Sequence, residues 1–192
     1  LRETPVQANR VMALLSHSFN LAEDWGWRSQ QSNPVFRVKR YREKPRTRLP
    51  SPDEARALFE TLMTWRDSQP WFVGLIMLLM LTGCRRMEIQ AAKREWIQGD
   101  RLVLPDSKTG AKIVPLNNQA RAIIDWIPVK PGNPYLIAGR IKGAHLVQPR
   151  KLWAELCKQA GIRELNMHDL RRLFASVAIS SGQTLEQAMQ LM

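Results

Sequence analysis

Apolar residues recur at helical spacing from the start of the chain: Val11, Leu14, Leu15, Leu21, Ala22 and Trp25 mark one stripe. Thr4, Pro5 and Gln7 form the pattern of an N-cap, a first-turn proline and a closing capping box, and Gly26 is a natural stop. The pattern predicts a single amphipathic helix, too short to be stable alone in water. A second start, Ser51-Pro52-Asp53-Glu54, opens a helix whose buried face is expected to carry Leu58, Phe59, Leu62 and Met63. Trp71 to Leu81 is apolar nearly all round, which predicts a central core helix ended by Gly83. A polar amphipathic helix is predicted from about Arg85 to Glu95. Two short alternating runs, Arg101 to Leu104 and Lys112 to Leu116, flank the turn-forming residues Pro105 to Gly110 and read as a β-hairpin. Helices are predicted again over Asn118 to Trp126, Pro149 to Ala160, His168 to Ser181 and from Thr184 onward. The fold class that follows is mainly α with a small antiparallel β-sheet.

Composition narrows the class of partner. The 192 residues carry 29 Lys and Arg against 17 Asp and Glu, a formal net charge of +12, and such a balance favours polyanions, nucleic acid first. Between Arg37 and Arg48, seven cations (Arg37, Lys39, Arg40, Arg42, Lys44, Arg46 and Arg48) meet a single acid, Glu43. With Pro34, Pro45 and Pro50 around them, residues 34–50 read as an extended basic linker suited to a phosphate backbone. The run Trp71 to Leu81 is interrupted by Gly74 and falls short of the roughly 20 residues that a spanning helix needs. Residues 1–9 lack the pattern of a secretory leader, so a cytoplasmic location without membrane association is expected. Cys84 and Cys157 are too few for a zinc site and read as buried, reduced thiols.

Two arginine-rich groupings carry candidate chemistry. In Thr82-Gly-Cys-Arg-Arg-Met-Glu-Ile89, Arg85 stands at a predicted helix start, where the dipole already favours anions, and Glu88 is spaced to hold its side chain. In His168-Asp-Leu-Arg-Arg172, again at a predicted helix start with Asn166 as candidate cap, His168 and Arg171 share one face and Arg172 points roughly 100° further round. An imidazole and a guanidinium converging there suit a phosphate and a proton transfer beside it. Each grouping alone also fits an ordinary surface helix. The ligands that would make a metal phosphohydrolase of the His-Asp pair are missing.

Taken in order, TGCRRMEI, then Ser107-Lys-Thr-Gly110 with Ile113 to Leu116, then HDLRRLFAS, the chain resembles the tyrosine recombinases, the phage-type integrases, over residues 51–192. The resemblance implies that Arg85 and Arg171 clamp a scissile phosphate, that Lys108 protonates the leaving 5′-oxygen, and that His168 assists proton transfer, with Glu88 in support. Fixed cations then stand where Mg²⁺ would otherwise act, with no metal and no cofactor. Residues 1–33 look like the last helix of the helical core-binding domain these proteins carry, and residues 34–50 like the linker. The implied activity of the parent is site-specific DNA recombination or integration through a 3′-phosphotyrosine, on double-stranded DNA and as a tetramer.

One departure stands out. The family's nucleophilic tyrosine follows a Gly-His or Gly-Trp motif beyond a helix like Thr184 to Met192, and neither Tyr41 nor Tyr135 matches that place. Residue 1 is Leu and the final helical pattern has no stop, so both ends are expected to be boundaries within a larger protein. This chain is expected to bind DNA, as a monomer, without forming a covalent adduct. The alternative is a non-catalytic DNA-binding protein derived from an integrase. A type IB topoisomerase or an unrelated RNA-binding module would share part of the pattern.

Overall fold

The computed structural model describes residues 3–44, 47–106, 110–184 and 186–187. The chain divides into two compact units, Leu1–Thr47 and Arg48–Met192.

The first unit is built on α1, Pro5–Asp24. Proline opens it, as the sequence predicts, but Thr4 sits at φ −129°, ψ 69° and makes no side-chain cap, so the expected capping box does not form. Val11, Leu14 and Leu15 of the apolar stripe are exposed. The segment after the helix is nevertheless tied down. Buried Asn9 donates to the Tyr41 carbonyl and to a Glu43 carboxylate oxygen, both at 2.8 Å, and accepts from the Tyr41 N–H at 2.8 Å. An amide side chain thus satisfies the backbone of a stretch with no regular structure of its own.

The second unit follows the predicted order with local differences. Helix α2, Pro52–Thr64, begins with the complete Ser51/Glu54 capping box. Leu58 and Leu62 are fully buried, but Phe59 is exposed, because the buried stripe of this helix is narrower than four apolar positions suggest. Helix α3, Pro70–Thr82, is the core element: eight of its residues are buried, and it packs against α5 (Asn118–Trp126) and α7 (Asp169–Ser180). It ends at Gly83 in the left-handed conformation, φ 61°. The predicted helix over residues 85–95 is cut to five residues, α4, Arg86–Gln90. Its continuation is captured by another segment: the Leu136 N–H donates to the Ala92 carbonyl, the Arg94 N–H to the Pro134 carbonyl, and Lys93 pairs with Tyr135.

A short 3₁₀ turn at Arg94–Trp96 leads to β1, Ile97–Gln98, which the hydrophobic pattern did not disclose. It extends the predicted hairpin of β2 (Arg101–Leu104) and β3 (Lys112–Pro115) to a three-stranded antiparallel sheet in the order β1-β2-β3. Leu102 pairs with Val114 and Leu104 with Lys112. The Asn117 side chain caps α5. Helix α6 runs Arg150–Gln159, and its Trp153 indole donates to the Leu165 carbonyl at 2.9 Å. Beyond α7, Thr184 and Gln187 exchange reciprocal capping bonds. Leu185, Ala188, Met189 and Met192, expected on the face of that last helix, lie outside the described residues. Among the described residues no helix is long and apolar enough to cross a membrane.

Both cysteines are buried free thiols. Burial pushes the Cys157 thiol up to about 11, and burial likewise raises Cys84, so neither is a thiolate at neutral pH.

The loop 135–149 packs backbone to backbone at Gly139, where an added Cβ would lie 2.2 Å from the His145 carbonyl oxygen. Gly139→Ala is expected to destabilise the domain by about 1–3 kcal/mol, because backbone and not a flexible side chain must move. Urea denaturation of the two proteins side by side measures it.

Candidate functional site

The site grows from the end of α3. Gly83 turns the chain out of the helix, buried Cys84 follows, and Arg85 leaves in an extended conformation as the residue before α4. One carboxylate organises what comes next. Glu88 Oε2 accepts from the Arg85 backbone N–H at 2.8 Å, and Glu88 Oε1 accepts from Arg85 Nη1 at 2.7 Å. Lys112 Nζ, arriving from β3, donates to Glu88 Oε2 at 3.3 Å. The Glu88 side chain is only 6% exposed, so these contacts are screened little by water. Burial alone would raise its pKa, but the Arg85 hydrogen bonds and Lys112 outweigh it and hold the carboxyl below its ordinary range.

Arg171 comes from the first turn of α7. Its Nη1 donates to the Gly83 carbonyl at 2.7 Å, joining two motifs 88 residues apart. Its pKa is lowered, first by burial and then by the charge of Arg85. Arg171 thus lies within the field of the Arg85 guanidinium. Arg171 stays protonated all the same, since no protein environment deprotonates arginine near neutral pH. Two fixed cations in a partly desolvated place are suited to an anion, and planar guanidiniums match phosphate in shape. Since α4 has five residues, its dipole adds little; the side chains carry the attraction.

His168 occupies the N-cap position of α7 with its ring exposed. The backbone around it is braced reciprocally. The Asn166 side chain accepts from the His168 N–H at 3.0 Å, and Asp169 Oδ2 accepts from the Asn166 N–H at 3.0 Å. Asp169, 1% exposed, also faces Arg172 at 3.7 Å.

The structure therefore brings Arg85, Glu88 and Arg171 together and sets His168 one turn before Arg171. Lys108 lies outside the described residues, as does Arg46. Arg37, Lys39, Arg40, Arg42 and Lys44 are exposed in the first unit. Arg48 is differently engaged: its guanidinium forks onto both Glu54 carboxylate oxygens and reaches the Arg163 carbonyl at 3.3 Å. Sequence reasoning missed Lys112 as a member of the site. The signal was present in strand alternation, because Lys112 and Val114 share the inward face while Ile113 is exposed.

Residues 49–192 match the model of the phage integrase family. The chain belongs to that family, the tyrosine recombinases. Among solved structures, it resembles a lambda integrase (75-356) dimer bound to a COC′ core site, with TM-score 0.79, 20% identity, and coverage of 100% of this chain and 72% of that one. A lambda integrase tetramer bound to a Holliday junction matches with TM-score 0.73 and 19% identity over 98% of this chain and 58% of that one. The Tn1549 transposon integrase in complex with circular intermediate DNA matches with TM-score 0.66 and 14% identity over 96% and 69%. These identities establish the fold, which is that of the lambda integrase catalytic domain. The chain spans 57% of the longer lambda integrase in its own dimer complex with the core site. No curated protein matches the chain in sequence.

Because Glu88 is held below the ordinary carboxylate range in the fold, its ion pairs contribute stability above the unfolded value of about 4.3 and lose it as pH falls through the lower folded value. Glu88→Gln is expected to cost about 1–3 kcal/mol at pH 7. The gap to the parent should narrow as the pH is taken down below the unfolded value. Chemical denaturation across that pH range tests it; a gap independent of pH contradicts the assignment.

Proposed function

We propose that this chain grips the backbone of double-stranded DNA and holds one phosphate between Arg85 and Arg171 for strand cleavage and rejoining. The observation that carries the reading is the convergence of these two arginines, one steadied by Glu88 and the other by the Gly83 carbonyl. In the reaction, the clamp binds the non-bridging oxygens and stabilises the charge that builds on them as a tyrosine hydroxyl attacks the phosphorus. A 3′-phosphotyrosine forms, the bond to the 5′-oxygen breaks, and that oxygen takes a proton from Lys108. The attacking hydroxyl gives up its proton as the new bond forms, and His168, exposed beside Arg171, assists that transfer. Reversal with a different 5′-hydroxyl rejoins the strands.

Residues 1–33 serve as the end of a core-binding domain, and the exposed cations from Arg37 to Lys44 add phosphate contacts. The full-length protein works as a tetramer on DNA, a reading supported by the lambda integrase tetramer bound to a Holliday junction. In this reading neither tyrosine of the chain is the attacking group, since neither Tyr41 nor Tyr135 stands where the family's nucleophile does; Tyr135 packs edge-on against His145 at 5.4 Å.

Fluorescence anisotropy on a labelled duplex across a salt series tests the reading. Affinity is expected to fall steeply with salt, and Arg85→Ala/Arg171→Ala to bind more weakly with a slope shallower by about 2. Absence of duplex binding at low salt sinks the proposal.

A further inference from the structure

The Arg85–Glu88 pair taken alone has an electrostatic defect as a place for phosphate. A carboxylate oxygen 2.7 Å from Arg85 Nη1 aims the guanidinium, but it also offsets the charge that a phosphate would meet. Its field reaches further. Burial and then Arg85 lower the pKa of Arg171, and Glu88 acts in the opposite direction, so its negative charge is felt at both arginines of the clamp. A buried anion in this position opposes the binding of another anion.

Lys112 changes that balance. Its Nζ lies 3.3 Å from Glu88 Oε2, the oxygen that also accepts from the Arg85 backbone N–H. The Lys112 side chain is 14% exposed and the Arg85 side chain 36%, so the more buried of the two cations is the one turned into the domain. Strand β3 delivers it there: Lys112 pairs with Leu104 and shares its face with fully buried Val114. The neighbouring Cys84 thiol reports the same cluster. Burial pushes it up first, and the charges of Lys112, Glu88 and Arg171 all act on it as well. Lys112 therefore belongs to the electrostatic neighbourhood of both halves of the clamp although it comes from the sheet.

We infer that Lys112 is a positioning residue of the phosphate clamp: it offsets the charge of Glu88, so that Glu88 aims Arg85 without cancelling it. The inference rests on the proposed function. Two cations on one carboxylate leave the trio of Arg85, Glu88 and Lys112 positive, and Arg171 adds to it. Without Lys112 the trio is neutral, and Arg171 is left to attract the phosphate. Lys112 does not touch the DNA in this arrangement; its effect runs through Glu88 to Arg85.

The experiment measures anisotropy of a fluorescein-labelled mixed-sequence duplex at one low salt concentration. It compares the parent, Arg85→Ala/Arg171→Ala, Lys112→Met, Glu88→Gln/Lys112→Met and Glu60→Gln/Lys112→Met. Lys112→Met is expected to bind about tenfold more weakly than the parent. Glu88→Gln/Lys112→Met is expected to return to within about threefold of the parent, because glutamine keeps an acceptor for Arg85 and leaves no charge to offset. Glu60 is an exposed acid on α2, so Glu60→Gln/Lys112→Met restores the same net charge elsewhere and is expected to stay as weak as Lys112→Met. Lys112→Met with the parent's affinity overturns the inference, as does recovery through Glu60 equal to recovery through Glu88. So does a Glu88→Gln/Lys112→Met protein as weak as Lys112→Met, the result expected if Lys112 only supports the fold or contacts DNA itself. If circular dichroism shows Lys112→Met unfolded, Glu88→Gln/Lys112→Met decides alone: affinity near the parent's supports the inference, and affinity as low as that of Arg85→Ala/Arg171→Ala overturns it. The clamp variant keeps the two readings apart. If it binds like the parent the proposed function falls, whereas a weak clamp variant beside an unaffected Lys112→Met overturns the role of Lys112 alone.

Discussion

A single buried carboxylate lets the site exist. In a chain of net charge +12, Glu88 receives the Arg85 backbone, the Arg85 side chain and Lys112 at once. Bringing those cations into a partly desolvated place without it would leave their repulsion and lost hydration uncompensated. Its two oxygens also fix geometry: one ties down the start of α4, and the other sets the direction of the guanidinium. Arg171 is held by different means, a neutral carbonyl at the end of α3. The two arginines are thus restrained by different partners, one by a carboxylate and one by a backbone carbonyl.

The rest of the domain supplies the rigidity that this arrangement needs. Helix α3 carries its own end, Gly83, into the site, while α7 packs along α3 and delivers Arg171 to that same glycine. The sheet register fixes Lys112 opposite Leu104 and so sets its reach toward Glu88. A slip of one residue in β3 would turn Lys112 outward and Ile113 inward. Side-chain positions at the site are therefore set by backbone pairing several residues away.

Much of this was legible in the sequence because it is local. The Ser51 cap, the all-apolar α3 and the i,i+3 pair Arg85–Glu88 depend on neighbours within a turn. What was not legible depends on distant chain. Nothing near Arg85 announces that residues 134–136 will take over the backbone groups of Ala92 and Arg94 and end α4 early. The Gly83–Arg171 bond joins separate motifs, and the family resemblance pairs them without saying which atoms meet. Thr4 looked like a cap by residue type, yet its backbone does not present the hydroxyl. Asn9 was invisible because a buried amide on an amphipathic helix reads as an error in the stripe until the 41–43 segment is placed against it.

Helix α3 has a further consequence during synthesis. Its apolar faces are covered by α5 and α7, and α7 ends at Ser180. Roughly a hundred residues must be made after Thr82 before the last of that cover exists, which at about 5–20 residues per second means some 5–20 s. Through that interval the ribosome carries an uncovered greasy helix, the kind of segment that holdase chaperones recognise. The element that makes the finished domain rigid is also the one that makes its birth hazardous.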